Sequence, residues 1–508
     1  MLLRLLGRST IHPLRMRKSS VASSRLSAIT RVMSSSSPAV QNQPPDASPV
    51  IFESAYSTRT FVLNRPKALN ALNHEMLDLL IPKLKEWDQS ELCKIIICRA
   101  NGRAFCAGGD VKRVREFSLN PQTLSRALGF FQKEFQLDYN LATLSKPYVA
   151  VMDGITFGGG VGISAYAPYR IGTENTVFAM PEVKLGYFPD VGASYLLARL
   201  DGEIGTYLAL TGNSISGYEV YHLGLATHYI PSRRIPSVLE RLGALEALGP
   251  HTINETLNEF DTEPSSAPEA ESQLLISRGE VRVALDRAFS RKDVESIIAE
   301  LETFAAPESV PVEHQTEVQK WARSTLDALW LRSPTSLKVT LEAVRIAQRD
   351  DFRLSDALHM EVGIATAFAS RGSPDFDTGV KSVLVDKDPA DKRPNWSPST
   401  VAEVSPTYVH DTFFSQTSPY VVSAPRVHTE RTSAEINLGY YALPSEDDIG
   451  TYVLGNTGDS GASAVSADEV VARFEAKMRG KSGVRFKVEE VLARRCETMK
   501  EGWLKWKY

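Results

Sequence analysis

The pattern of apolar and polar residues changes along the chain from short strand-type runs to longer helical ones. Short apolar runs rich in β-branched residues predict strands over 60–63, 94–99, 147–152 and 176–180. Between these runs, apolar residues recur at helical spacing over 74–89, despite Pro82, and over 123–145. Because strands and helices alternate, we predict an α/β architecture for the first part of the chain.

After about residue 203 the strand signal fades and helical spacing dominates. Segments with one apolar face predict helices at EIGTYLALTG, GYEVYHLGLATHYI, ESQLLISRGEVRVALDRAF, VESIIAELETFA, SPTSLKVTLEAVRIAQ and RLSDALHMEVGIATAFAS. Further on, Ser466 and Glu469 form the S-x-x-E pattern of a capping box and predict the start of another helix. We therefore expect an α/β core followed by a helical region.

The N-terminal residues differ in composition from the rest of the chain. Residues 1–37 contain seven Lys or Arg and no acidic residue, which is the composition of a mitochondrial transit peptide; a disordered basic tail is the alternative. Residues 38–50, SPAVQNQPPDASP, are predicted to be a linker because they contain too little apolar surface to fold alone. We therefore expect a protein of the mitochondrial matrix.

Charge and cysteine content argue against several classes of function. The net charge is −4 overall, so the chain beyond its basic N-terminus carries −11, which argues against general nucleic-acid binding. No apolar run is long enough to span a bilayer, so we expect no membrane partner. The four cysteines show no CxxC spacing, so neither a structural zinc site nor a disulfide framework is predicted.

Two glycine-rich turns each follow a predicted strand. They are AFCAGGD at 104–110 and DGITFGGGVGI at 153–163. Glycine allows a backbone to approach a ligand closely, and two free backbone N–H groups from two such loops can form an oxyanion hole. Two alternatives stay open for the second loop, namely a dinucleotide-binding turn, whose G-x-G-x-x-G spacing it matches only approximately, and a purely structural turn.

The segment FAMPEVKLGYFPDVGAS at 178–194 contains two carboxylates, Glu182 and Asp190, each directly after a proline. In a continuous helix they would lie about 12 Å apart along the axis. The prolines, Gly186 and Gly192 instead favour a turn-rich loop that returns both acids to one pocket. Alternatively, Glu182 is a turn acid satisfied by backbone donors, and Asp190 is the N-cap of a helix that starts near Gly192.

The chain contains no G-x-S-x-G sequence, which argues against a serine-hydrolase mechanism. The remaining candidate is a carboxylate site that faces an oxyanion hole. Such a site suits acyl chemistry in which Glu or Asp acts as a general base or as a nucleophile.

Four of these motifs together resemble the enoyl-CoA hydratase/isomerase (crotonase) superfamily. They occur in the order NRPKALNAL at 64–72, AFCAGGD at 104–110, GGGVG at 158–162 and FAMPEVKLGYFPDVG at 178–192. The resemblance runs from about residue 50 to about 414 and includes SPTSLKVT at 333–340 and GVKSVLVDKD at 379–388. Within the superfamily, the chain looks most like the branch that hydrolyses 3-hydroxyisobutyryl-CoA.

The resemblance implies a spiral of ββα units followed by a helical C-terminal region that covers the core or joins subunits, so a homo-oligomer is compatible with it. It also implies an acyl-CoA thioester substrate whose carbonyl is held by the N–H groups of Gly109 and Gly159. Glu182 stands at the position of the principal catalytic carboxylate, and Asp190 stands at that of the second acid of the hydrolase branch. Glu134, in FFQKEF, matches a substrate-contacting acid; the alternative is a solvated or salt-bridged helix residue.

One departure from the family pattern favours hydrolysis over hydration. Hydratases carry a second catalytic glutamate at the position that Gly162 occupies here. The resemblance therefore implies that Glu182 activates water or attacks the thioester itself, while Asp190 orients the substrate hydroxyl or assists proton transfer. Neither a metal nor a separate cofactor is expected, because CoA is part of the substrate. The implied acyl group is 3-hydroxyisobutyryl, from valine breakdown, or the smaller 3-hydroxypropionyl.

The extent of the resemblance gives the expected division of the chain: an α/β core at 51–230, a helical region at 231–414 and an extension at 415–508 with a basic helical end. Residues 466–508 carry a net charge of +4 interleaved with aromatic residues. The last helices either pack these aromatics on the core or dock on an RNA-rich or acidic partner. Some relatives with such tails associate with the small subunit of the mitochondrial ribosome, so the resemblance permits a structural role there.

Overall fold

The computed structural model describes residues 48–245, 249–262, 267–307, 315–429, 438–456 and 464–507. The predicted transit peptide at 1–37 and the linker up to residue 47 lie outside the described residues. Two main sheets, a separate two-stranded sheet and a large set of helices make up the described residues. The predicted α/β core with a helical C-terminal region is confirmed.

The strands of the structure include all four predicted ones and several shorter strands. They are β1 Val50–Ala55, β2 Thr58–Leu63, β3 Ile95–Ala100, β4 Ala104–Cys106, β5 Tyr148–Met152, β6 Ile155–Phe157, β7 Tyr169–Gly172, β8 Val177–Ala179, β9 Ile215–Ser216, β10 His228–Tyr229, β11 Cys496–Thr498 and β12 Leu504–Trp506.

From β3 to β8, consecutive strands alternate between the two main sheets. The larger sheet has the order β1-β2-β3-β5-β7-β10, in which β1 and β2 are antiparallel and the other neighbours are parallel. The smaller sheet has the order β4-β6-β8-β9, with β4, β6 and β8 parallel to one another. The strands β3, β5 and β7 are each followed along the chain by a partner in the smaller sheet, so the core is a spiral of repeated strand pairs.

Helices cover the two sheets and form most of the chain after residue 203. The helices up to residue 260 are α1 His74–Gln89, α2 Val111–Ser118, α3 Leu124–Ala142, α4 Gly159–Ala165, α5 Ala193–Leu197, α6 Ile204–Thr211, α7 Tyr218–His222, α8 Ile235–Gly243 and α9 Pro250–Asn258. Those beyond it are α10 Ala267–Gln273, α11 Gly279–Phe289, α12 Val294–Phe304, α13 Glu317–Trp330, α14 Pro334–Ala347, α15 Leu354–Ala369, α16 Asp375–Val380, α17 Pro406–Val409, α18 Pro419–Val422, α19 Glu446–Val453, α20 Ala467–Lys477 and α21 Val484–Arg495.

Local sequence explains where several of these helices begin. The Asn73 side chain accepts a hydrogen bond from the Met76 N–H and caps α1, while Pro82 lies on the exposed face of that helix. The predicted capping box is present, because the Ser466 side chain and Glu469 exchange hydrogen bonds at the start of α20. Apolar periodicity and caps were therefore sufficient to locate these helices.

Two helical predictions were too long. The segment GYEVYHLGLATHYI is helical only in α7, and Gly224, with φ +73°, lies in the turn that leads to the parallel strand β10. The segment ESQLLISRGEVRVALDRAF contains the end of α10 and all of α11, separated by nonhelical residues before Gly279. In both places a glycine with positive φ lies at or beside the break in the predicted helix. Apolar spacing continues across the break and therefore predicts a helix that is too long.

The C-terminal extension packs on the core through buried ion pairs. Lys487 Nζ lies 2.8 Å from Asp201 Oδ2, and Lys481 Nζ lies 3.5 Å from Asp261 Oδ2. Phe474 of α20 is buried, and the Phe486 ring of α21 contacts the rings of Tyr218 and His222. The last helices thus pack their aromatics on the core, and part of their positive charge is paired there.

Candidate active site

Three neighbouring parallel strands of the smaller sheet end at one place. The loop after β4 contains Gly109, the loop after β6 contains Gly159, and the turn after β8 contains Glu182. Because the carboxyl ends of parallel strands meet at the same edge of a sheet, residues from distant parts of the sequence lie together here. This edge of the sheet is the candidate active site.

The two glycine loops adjoin at this edge. Gly108 has φ +104° and Gly158 has φ +46°, and a methyl group added to Gly108 would place its carbon 3.8 Å from Gly159 N. In the part of the chain that the structure describes, neither the Gly109 N–H nor the Gly159 N–H donates a hydrogen bond to the protein. Gly159 is also the first residue of α4, where backbone N–H groups have no intrahelical partner. Two free donors from adjacent loops are the elements of an oxyanion hole.

Glu182 opens a 3-10 turn, Glu182–Leu185, which ends at Gly186 with φ +66°. Its carboxylate lies against Gly158, since a methyl group there would place its carbon 2.5 Å from Glu182 Oε1. Glu182 Oε2 is buried and has no hydrogen-bond partner among the described residues. Burial raises the pKa of this carboxyl well above its usual range, and the nearby charge of Asp190 raises it further.

Asp190 follows Glu182 in a nonhelical loop that returns to the same pocket. Its Oδ2 accepts a hydrogen bond of 3.1 Å from the Tyr187 hydroxyl. Burial raises the pKa of Asp190 to about 7, although the Tyr187 hydrogen bond lowers it. The alternative of an N-cap is wrong, because Gly192 occupies the N-cap of α5 and makes no side-chain capping bond.

Glu134 lies on the buried face of α3 and reaches both glycine loops. A methyl group at Gly109 would place its carbon 3.4 Å from Glu134 Oε1, and one at Gly159 would overlap the same oxygen. Glu134 Oε1 has no hydrogen-bond partner in the described residues, so the alternative of a solvated or salt-bridged acid is wrong. Burial, and then the charges of Asp190 and Glu182, raise the pKa of Glu134 well above its usual range.

Two further carboxylates, Asp138 and Glu361, belong to this cluster and were not predicted. Asp138 lies one helical turn after Glu134 on α3, so its i,i+4 spacing was a usable signal. Glu361 comes from α15, far along the chain, and nothing in the local sequence links it to the site. Burial raises the pKa of Asp138 well above its usual range and that of Glu361 to about 8.

The described residues provide no ion pair for any member of this cluster. Its five carboxyl groups are all buried, and none is ion-paired with a Lys, Arg or His side chain in the part of the chain that the structure describes: Glu134, Asp138, Glu182, Asp190 and Glu361. Mutual repulsion and burial both favour the neutral acid, so protons neutralise part of the cluster. Within the described ranges, no three His, Cys, Asp or Glu side chains are arranged as metal ligands.

A comparison with known families identifies the chain at this point. The family model described as enoyl-CoA hydratase/isomerase matches residues 58–413. The chain belongs to this enoyl-CoA hydratase/isomerase family. The resemblance that the four sequence motifs indicated is therefore confirmed. The matched residues include both glycine loops and Glu182.

Relatives within the enoyl-CoA hydratase/isomerase family carry two kinds of name. The small ribosomal subunit protein mS47 of Neurospora crassa is 36% identical over 456 residues, covering 88% of this chain and 85% of that protein. The mitochondrial 3-hydroxyisobutyryl-CoA hydrolase of Gallus gallus is 37% identical over 368 residues, covering 72% of this chain and 89% of that protein. The chain is thus similar both to named hydrolases and to a named ribosomal protein.

Solved structures give the same fold. A carnitinyl-CoA dehydratase from Mycobacterium thermoresistibile superposes with a TM-score of 0.63 at 31% identity, covering 76% of this chain and 100% of that one. An enoyl-CoA hydratase from Rhodobacter sphaeroides gives a TM-score of 0.61 at 27% identity, covering 73% and 98%. No helix in the described part of the chain combines the length and apolar character needed to cross a membrane.

Proposed function

We propose that this chain hydrolyses 3-hydroxyisobutyryl-CoA to 3-hydroxyisobutyrate and free CoA in the mitochondrial matrix, as a step of valine catabolism. The observation that supports this most strongly is the meeting of two free backbone donors with the carboxylates of Glu182 and Asp190. Relatives named 3-hydroxyisobutyryl-CoA hydrolase support the same substrate. The basic N-terminus and the word mitochondrial in those names support the location.

In the proposed mechanism the thioester carbonyl oxygen binds between the N–H groups of Gly109 and Gly159. These donors stabilise the negative charge that develops on this oxygen in the transition state. Glu182, as general base, removes a proton from water, which attacks the carbonyl carbon. The C–S bond then breaks, and the CoA sulfur takes up the proton, so that an acid and a thiol leave the site.

A direct attack by Glu182 on the carbonyl carbon is the second route to the same products. This route forms an acyl anhydride with Glu182, which water then hydrolyses. After a single turnover in ¹⁸O water, label in the Glu182 carboxylate would establish the anhydride route, because activation of water by Glu182 places label only in the released acid.

Asp190 and Glu134 are proposed to bind the substrate beside the reacting carbonyl. Asp190, with a pKa of about 7, is suited to accept a hydrogen bond from the 3-hydroxyl of the acyl group or to pass a proton. Glu134 lies against both oxyanion-hole glycines. One methyl group is worth only about 1 to 3 kcal/mol of discrimination, so we expect 3-hydroxypropionyl-CoA to react as well.

The packing around Gly162 supports hydrolysis over hydration. A methyl group at this position would place its carbon 2.7 Å from Val191 Cβ and 2.8 Å from both carboxylate oxygens of Asp138. A glutamate side chain therefore has no room at this position. Thiol release from 3-hydroxyisobutyryl-CoA by the full-length protein tests the proposal, with crotonyl-CoA hydration as the control. Hydration of crotonyl-CoA without thiol release would contradict it.

A ribosomal role is the second candidate, with or without hydrolase activity. It is favoured by the match to the Neurospora crassa ribosomal protein, which covers 88% of this chain against 72% for the Gallus gallus hydrolase. The surface that we assign to it is the exposed basic end of the extension, with Lys500, Lys505 and Lys507. Such a surface suits the phosphates of RNA.

Co-sedimentation with mitochondrial small ribosomal subunits tests this second role. Because the extension is paired with the core through buried ions, point substitutions are better than truncation. Lys500→Glu, Lys505→Glu and Lys507→Glu together should abolish co-sedimentation, whereas the control reversals Lys85→Glu and Lys292→Glu at exposed positions outside the extension should preserve it. Equal sedimentation of all forms would remove the extension from the ribosomal hypothesis.

A further inference from the structure

The turn that follows Asp190 is strained. Val191 has φ +61°, and Gly192 after it has φ +81°. A β-branched residue with positive φ is a genuine outlier, and such a conformation is energetically unfavourable. They persist only where the surrounding structure fixes them. The surroundings of this turn must therefore supply contacts that offset the cost.

One buried carboxylate supplies most of these contacts. Glu361 Oε2 accepts a hydrogen bond of 2.5 Å from the Gly192 N–H. Glu361 Oε1 accepts bonds from the Ser194 N–H, at 3.0 Å, and from the Ser194 hydroxyl, at 2.6 Å. The Glu361 side chain is fully buried on α15, so these bonds are not weakened by competition with water.

The turn is also enclosed from the other side. The Tyr166 hydroxyl donates a hydrogen bond of 3.2 Å to the Val191 carbonyl. A side chain at Gly192 would overlap the Tyr166 hydroxyl, so the backbone there passes close to a fixed ring. Glu361 and Tyr166 thus hold the backbone on both sides of the strained residue, and Asp190 is attached directly to it.

We propose that Glu361 is a positioning residue that holds the strained Val191 turn and thereby aims the Asp190 carboxylate at the substrate. This inference rests on the proposed function of Asp190. Without the Glu361 carboxylate, Val191 relaxes to negative φ, and the preceding Asp190 moves with it. A misplacement of about 1 Å in a catalytic constellation can cost about 10²-fold in rate.

Glu361→Gln is the sharpest substitution, because it keeps the size of the side chain but offers only one acceptor oxygen. The remaining amide nitrogen cannot accept from Gly192 or Ser194. Ser194→Ala is a graded variant that removes one of the three bonds. Thr366→Val is the matched control, since Thr366 is a buried polar residue of the same helix whose hydroxyl donates to the Val362 carbonyl.

The readout compares two substrates, 3-hydroxyisobutyryl-CoA and isobutyryl-CoA, which lacks the 3-hydroxyl that Asp190 is proposed to bind. Glu361→Gln should lower kcat for the hydroxyl substrate by about 10²-fold and for isobutyryl-CoA much less. Ser194→Ala should give a smaller loss of the same kind, and Thr366→Val should leave the ratio unchanged. An equal loss for both substrates would reduce Glu361 to a structural residue and overturn the proposal.

A crystal structure of Glu361→Gln keeps the inference testable even if the wild type releases no thiol. Absence of thiol release by the wild type would contradict the proposed function. In the variant structure, a Val191 φ that turns negative, with a displaced Asp190, supports the positioning role. An unchanged Val191 and Asp190 would overturn it, whatever the activity.

Discussion

Asp138 of α3 lies directly against Gly162 of α4. The Asp138 carboxylate fills the space that a side chain at Gly162 would need. A methyl group there would place its carbon 2.8 Å from both oxygens of the Asp138 carboxylate. One turn earlier on each helix, Glu134 lies over Gly159 in the same manner. The glycines of α4 thus make room for carboxylates of α3, which the glycine-rich motif alone does not reveal.

This relationship predicts the effect of Gly162→Ala. The added methyl group meets Val191 and Asp138, so we expect a loss of about 1–3 kcal/mol in the free energy of unfolding. Gly129→Ala is the control, because it lies in α3 with no atom within 4 Å of an added methyl group. That variant should gain about 0.4–1 kcal/mol. Urea unfolding of both proteins checks the prediction; a neutral Gly162→Ala would show that α3 and α4 separate more easily than their packing indicates.

Asp138 also predicts how stability depends on pH. Burial, followed by the charges of Glu134, Asp190 and Glu361, raises its pKa well above the usual range. The folded state therefore binds a proton that the unfolded state, with a pKa of about 3.9, releases. The stabilisation from the protonated Asp138 carboxyl is therefore fully present below about pH 3.9, and it is lost as the pH rises through the raised pKa of the folded state.

Asp138→Asn should remove this dependence. Relative to the wild type, its free energy of unfolding should increase between pH 5 and pH 8, as measured by urea unfolding at both values. The exposed Asp350→Asn serves as the control and should run parallel to the wild type. A difference between Asp138→Asn and the wild type that does not change with pH would mean that Asp138 is ionised in the folded protein.

Tyr187→Phe should shift the pH dependence of hydrolysis. Burial raises the pKa of Asp190 to about 7, and this value already includes the lowering by the hydrogen bond that the Tyr187 hydroxyl donates. Without this donor the pKa of Asp190 rises, so the limb of the pH–rate profile that reports its ionisation moves to higher pH. Tyr408→Phe, which removes a hydroxyl bonded to the Gly372 carbonyl, should leave the profile in place. A shift to lower pH in Tyr187→Phe would rule out Asp190 as the titrating group.

The ion pair between Asp201 and Lys487 should contribute strongly to the attachment of the C-terminal extension. Both side chains are largely buried, so removing one partner with Asp201→Asn is expected to cost about 3–5 kcal/mol. Burial raises the pKa of Asp201, but the attraction and hydrogen bond of Lys487 outweigh burial and lower it. The stabilisation is therefore present above the unfolded pKa of about 3.9 and is lost as the pH falls.

Thermal unfolding of Asp201→Asn and of the wild type at pH 7 and at pH 3 checks this expectation. The difference in stability between the two proteins should be smaller at pH 3 than at pH 7. Glu475→Gln is the control, because it breaks the exposed pair with Arg485, for which we expect a much smaller effect than for the buried pair. Equal effects of the two substitutions would contradict a special role for the buried pair.

Short-range patterns in the sequence predicted the fold well where they report on local structure. The four predicted strands and the capping box at Ser466 are present, and the turn-rich segment after Glu182 is a loop that contains a 3-10 turn. The predicted helix that includes α7 and the one that includes α11 were too long, because apolar spacing continues through the turn at Gly224 and the nonhelical residues before Gly279. Periodicity reports which face is buried, and it does not report where the backbone turns.

The candidate site was predictable to the extent that its residues lie in motifs. The structure brings Gly109, Gly159, Glu134, Glu182 and Asp190 together, and their roles remain predictions. Glu361 was not predictable, because it meets Gly192 only through tertiary packing of α15. Among the described residues, the Asp138 carboxylate has no hydrogen-bond partner; this depends on the contact between two helices and has no sequence signature.

The most direct test of the account is thiol release from 3-hydroxyisobutyryl-CoA by Glu182→Gln beside the wild type, with binding of a nonhydrolysable thioether analogue measured by calorimetry. Gln has the size of Glu but can neither accept a proton from water nor attack the carbonyl. We predict that the variant binds the analogue with nearly unchanged affinity and releases no CoA above background. Release at the wild-type rate would contradict the assignment of Glu182 as the group that performs the chemistry.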